Sequence, residues 1–400
     1  MVNRPWSTGI VLHTAVISSL SIQFIFLLFA WTLDIETTMQ NFEGFNDDSN
    51  YINNDVLLNA VASDKYINMG YWWLSYAALL IGGEDYHEIL LRVITSFFAA
   101  VAVYFFAVIL ARLRCQKVDG VCVIFALPIS LLSIVIGKEV VVLALTLISI
   151  NYFFKLQERF SFYHLALLFA CIFAIFLFRY FFVAILIAIM GIYIIRSRIN
   201  LIRSIFSTLL IMLCIVIATV YLVESRPEFI ENLILTRIVE MTSEGSNYEF
   251  SEDSITQVVG GGIFLSIAKV LTYPPPIPKS YLYLAYIPLV YGATVSLAIW
   301  FFSRSYMGSY QSNFANSPLN TVSHMEKIQH LCFAMFVVSV CYMLFLIAIN
   351  FESNARYKII PLTLIYLVII SYDKVFHRYY WVLAWSIVLP LLIGIIYSIL

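Results

Sequence analysis

The stretch FYHLALLFACIFAIFLFRYFFVAILIAIMGIYII, residues 162–195, decides how the rest of the chain is read. Its one permanently charged side chain is Arg179. A guanidinium at the centre of a bilayer costs about 2.5–3.5 kcal/mol on insertion scales, and much less at the end of a span. The run therefore divides into two spans, 162–178 and 180–195, with Arg179-Tyr180 in a tight turn at the membrane surface. Each half is near the roughly 20 residues that cross a bilayer.

The same reading extends in both directions. The chain has 400 residues, 62% hydrophobic and only 12% charged, where a soluble domain carries about a quarter. Hydropathy marks about eleven spans: 10–33, 89–111, 120–136, 140–154, 162–178, 180–195, 205–223, 281–302, 331–349, 359–372 and 379–399. The expected fold is all-α: one polytopic integral membrane domain over 1–400 with two large outer loops, 34–88 and 224–280. The first span has no small-residue cleavage site after it, so it reads as an anchor and not a signal peptide.

Orientation follows from the basic residues. One set of loops holds Arg4, Arg112, Arg114, Lys117, Lys155, Arg159, Arg196, Arg198, Arg203, Arg304, Lys327, Lys374 and Arg378, against the acids Asp119, Glu158, Glu326 and Asp373. That set is assigned to the cytoplasm, which puts the N-terminus inside and the C-terminus outside. A net charge of -1 excludes a nucleic-acid partner of the usual basic kind. The six cysteines lie in spans or near the basic face, without metal-ligand spacing. The histidines form no HExxH, so no zinc site is expected. No cofactor is called for and no tight carboxylate cage is visible, although assistance by a divalent metal stays open.

The loop 34–88 is acidic, and NMGYWWLSYAALLIGG within it has apolar residues at helical spacing. That segment is expected in the interface plane, with Tyr71, Trp72 and Trp73 at headgroup depth. The loop 224–280 passes through TSEGSNYEFSEDS and then GGGIFLSIAKVLTYPPPIPKS, whose Gly and Pro runs break regular structure. IFLSIAKVL is too short to span, so it reads as interfacial or re-entrant.

Four groups of charges fall at outer span ends: Glu43 with Asp47 and Asp48 in NFEGFNDDSNY; Lys138-Glu139 in IVIGKEVVVL; Arg179-Tyr180; and Arg356-Tyr357-Lys358 in FESNARYKIIPL. A carboxylate at the mouth of a cavity serves as a general base toward an incoming hydroxyl. Lysine and arginine hold a phosphate or diphosphate leaving group and stabilise the charge developing on it. Each group also has a plainer reading: loop composition for Asp47-Asp48, a polar turn for Lys138-Glu139, snorkelling for Arg179, and interface anchoring for Arg356 and Lys358.

With these motifs the chain resembles the GT-C superfamily of membrane glycosyltransferases and the related O-antigen-type polymerases of lipid-linked polysaccharide repeat units. FNDDSNY lies in the long loop after span one. IVIGKEVVVLALTLISINYF is similar to the helix-end KE or KD of bacterial surface-polysaccharide proteins. FLSIAKVLTYPPPIP and NARYKIIPLTLIYLVI resemble their Pro-rich re-entrant stretch and their late RY-x-x-P segment. The resemblance implies transfer of a sugar or repeat-unit glycan from a polyprenyl-linked donor in the membrane lipid. It places the catalytic carboxylate at Asp47 or Asp48, with Glu43 as a further candidate. Lys138, Glu139, Arg179, Arg356, Tyr357 and Lys358 become substrate contacts. The chain departs from larger members in lacking a C-terminal soluble domain, which argues against a protein or peptide acceptor. The competing classes are a transporter or flippase of lipid-linked glycans and a noncatalytic scaffold of a polysaccharide complex. A transporter would show repeats and midplane polar groups, whereas the span interiors here read as almost wholly apolar.

Overall fold

The computed structural model describes residues 8–32, 51–62, 69–113, 137–198, 319–348 and 355–371, with residues 126, 129, 130 and 133 between them. Regular structure among the described residues is entirely helical: α1 (Thr8–Thr32), α2 (Asn54–Val61), α3 (Gly70–Arg112), α4 (Lys138–Glu158), α5 (Phe162–Arg198), α6 (Leu319–Ala348) and α7 (Ala355–Ser371). Among the described residues, three helices are long and apolar enough to cross a membrane: α3, α4 and the Phe162–Ser197 part of α5. A helix satisfies its own backbone donors and acceptors, which is the condition for lying in hydrocarbon. Gly9–Ile25, Lys327–Tyr342 and Ile359–Val368 are shorter apolar helical stretches.

Helix α5 is two arms. The ring of His164 lies 5.7 Å from that of Tyr152, and the ring of Tyr193 lies 5.2 Å from that of Phe153. In a straight helix, residues 164 and 193 would stand roughly 44 Å apart at 1.5 Å per residue. Adjacent residues of α4 touch both, so the chain doubles back between them. The reversal is at Arg179, whose φ of −157° and ψ of 85° are extended and interrupt the helix. Both arms run roughly 21 Å along α4, from its Glu158 end to its Lys138 end and back again. This is the residue at which hydropathy places the turn.

Helix α3 also breaks, at Gly83. Its φ of 65° and ψ of −174° belong to a region that is essentially glycine's alone. A β-carbon there would meet nothing, so backbone conformation and not space requires the glycine. The arm before the break folds back along the arm after it: Ser75 Oγ is 2.9 Å from His87 Nε2, and Tyr71 Oη is 3.2 Å from Thr95 Oγ1. The expected interfacial segment is therefore half of a helical hairpin. Tyr71 is fully buried, because its hydroxyl finds a partner on the second arm and its ring a place among other rings. Gly70 admits Phe178 so closely that a β-carbon would lie 2.9 Å from the ring, which seats the hairpin on the turn of α5.

The core joins α1, α3, α4, α5, α6 and α7, and every residue of 359–368 is buried. Near α1 the bundle is not wholly apolar. Ser18 and Ser19 lie 3.1 and 3.2 Å from Ser130 Oγ, and Gln23 donates to Ser133. Small polar side chains bonding across helices are common in membranes, where each such bond is worth roughly 0.6–2 kcal/mol.

Candidate functional site

One end of the bundle carries the start of α4 and the turn of α5. Gly137 is extended and ends the preceding chain; α4 then starts with Lys138 and Glu139. A carboxylate in the first turn suits the positive end of the helix dipole. Glu139 Oε1 accepts from Arg179 Nη2 at 2.7 Å, with side chains only 12% and 9% exposed. Lys138, the first residue of α4, is buried as well, and the Arg179 guanidinium carbon lies 5.7 Å from the centre of the Phe181 ring. Burying ions is costly, and only good geometry with further hydrogen bonds offsets the loss of water. The pair joins α4 to the turn of α5 and fixes both.

An aromatic layer starts at Phe178, the residue before Arg179. Phe178 packs edge-on to Tyr71 at 6.4 Å, and Tyr51 is 4.6 Å from both Tyr71 and Trp72. Val141, one turn into α4, belongs to the same cluster. Tyr51 is held by its backbone as well. Its carbonyl accepts from Ser75 Oγ at 2.6 Å. His87 Nε2 approaches both Ser75 Oγ and the Ser75 carbonyl, at 2.9 and 3.0 Å. A carbonyl only accepts, so Nε2 carries the proton and donates. Ser75 and His87 are thus not a nucleophile and its base, which would need the lone pair on that nitrogen. They are a buried clamp on the chain at Tyr51. Just beyond, Asn53 Oδ1 accepts from the amides of Asp55 and Val56 and caps α2.

Arg92 completes this region. It is 2% exposed and gives both Nε and Nη2 to one oxygen of Glu88, at 2.9 and 2.7 Å. The sequence reading did not single out Arg92, Ser75, His87 or Tyr51. For Arg92 a signal was present: a guanidinium inside LLRVITSFF, with a carboxylate four residues before it.

Of the residues singled out in the sequence, Glu139 and Arg179 meet as an ion pair, and Lys138, next to Glu139 at the start of α4, is buried. Arg356, Tyr357 and Lys358 lie in the first turn of α7, which packs on α3, α4 and α6; their side chains are outside what is described. Glu43, Asp47 and Asp48 lie outside the described residues. Among the described residues, no three His, Cys, Asp or Glu side chains converge as a metal ion would need. No protein-family model, curated protein or solved structure matches this chain.

Proposed function

We propose that the chain is a membrane glycosyltransferase of cell-surface polysaccharide assembly, with about eleven spans. It transfers a sugar or repeat-unit glycan from a polyprenyl-(di)phosphate donor at the outer, periplasmic face of a bacterial inner membrane. The acceptor hydroxyl attacks the anomeric carbon, the glycosidic bond forms, and polyprenyl diphosphate leaves while a carboxylate takes the proton. Asp47 or Asp48 is the base, with Glu43 near it in sequence. Lys138, Arg179, Arg356 and Lys358 hold the diphosphate, Glu139 orients Arg179, and Tyr357 faces the glycan.

The observation that carries this reading is the buried ion pair of Arg179 with Glu139 at the start of α4, where Lys138 is buried too, at the edge of an apolar bundle. A lipid diphosphate has its chain in hydrocarbon and its charge at that edge. Tyr51 adds support. It lies three residues after Asp48 in the sequence. Tyr51 is itself pinned to the aromatic layer beside Arg179. The polar cluster at Gln23 is what a transporter reading would use. Its side chains bond mainly to one another, as helix-packing contacts do.

Donor binding tests the site. In detergent, Lys138→Ala weakens binding of a polyprenyl diphosphate about tenfold, and Arg356→Lys weakens it despite keeping charge, because a lysine cannot grip a phosphate with two parallel bonds. Unchanged affinity in both variants contradicts the site.

A further inference from the structure

The opposite end of the bundle carries a second, differently built cluster. Arg112 ends α3 and donates from Nη1 to Glu158 Oε2 at 2.8 Å. Lys327 of α6 donates to the Gln157 carbonyl at 3.1 Å. Lys155 stands over the Tyr152 ring at 4.9 Å, and Arg159 follows α4 on the surface. The C-terminal ends of α3 and α4 thus meet the third turn of α6, with Glu158 as the one carboxylate among the described side chains in that group of contacts. Arg112 Nε is buried with no hydrogen-bond partner among the described residues. From the same corner, Phe162, Phe169 and Phe173 form one exposed apolar stripe along the first arm of α5, each more than 60% exposed. Residues spaced by seven and eleven share a helix face.

We propose that this corner binds one anionic phospholipid of the leaflet on that side. Arg112, Lys155, Arg159 and Lys327 surround the headgroup phosphate, and an acyl chain lies along the phenylalanine stripe. Charge and shape agree in this assignment. Among the described side chains of this corner four cations stand against Glu158, and basic pockets between spans attract acidic headgroups. The stripe runs from the cations toward the middle of the bundle, which a diacyl lipid covers and a free phosphate does not. The role is separate from glycan transfer and rests only on the chain lying in a bilayer.

The test uses the full chain in detergent, with dioleoyl phosphatidylglycerol, dioleoyl phosphatidylcholine or glycerol phosphate added. Bound lipid is counted by native mass spectrometry, alongside thermal unfolding. The expected result is retention and stabilisation by phosphatidylglycerol alone. Lys155→Gln with Arg159→Gln removes two cations that hold neither Glu158 nor the Gln157 carbonyl. It weakens phosphatidylglycerol retention roughly 30-fold, about fivefold per charge. Lys155→Arg with Arg159→Lys preserves retention, and Glu158→Gln raises it. Equal retention of the two lipids, equal stabilisation by glycerol phosphate, or no loss in the double glutamine variant overturns the proposal.

Discussion

Replacing Asp47 and Asp48 together by asparagine lowers glycan transfer by about 10²–10⁴-fold, the usual loss on removing a general base. Asparagine keeps the size and most hydrogen bonding of the carboxylate but takes no proton at neutral pH. The folded protein should be unaffected, because the substitutions leave in place the contacts of Tyr51: its ring among Tyr71 and Trp72, and its carbonyl on Ser75. Thermal unfolding and donor binding therefore stay near wild type while the rate of transfer falls. The two single variants tell which carboxylate is the base. Full activity in the double variant removes both from the mechanism.

Arg179→Met has the largest expected effect on stability. It leaves Glu139 buried without the guanidinium it accepts from, and breaking a buried pair from one side costs about 3–5 kcal/mol. It also loosens the reversal of α5, since the extended residue at the turn is tied to α4 through that bond. Arg179→Met with Glu139→Gln removes both charges and should recover much of the loss. The check is thermal unfolding of the three variants in one detergent. A double variant no more stable than Arg179→Met alone would show that the pair is not what fixes the turn.

The turn at Arg179 was legible because a charge inside a long apolar run is tolerable only at a span end. Lys138-Glu139 was legible as a second span end for the same reason. That Glu139 meets Arg179 was not, since forty residues separate them and no periodicity relates the two turns. The hairpin of α3 was hidden differently. Gly82-Gly83 reads as the end of an amphipathic segment, and nothing local announces a positive φ or the return of Tyr71 to Thr95. Arg92 escaped notice because its charge is balanced by Glu88 one turn away on the same helix. The polar cluster of Ser18, Ser19 and Gln23 was masked by the apolar residues around it, and shows only when Ser130 and Ser133 are brought alongside.

The central claim is transfer from a lipid-linked donor, and proteoliposomes containing the purified chain test it most directly. They are loaded with a polyprenyl diphosphate bearing a labelled repeat-unit glycan, alone or with a second glycan as acceptor. The account predicts labelled product with a new glycosidic bond and free polyprenyl diphosphate in equal amounts, absent when Asp47 and Asp48 are both asparagine. Donor that stays chemically intact but moves to the other leaflet would contradict the account and make the chain a flippase.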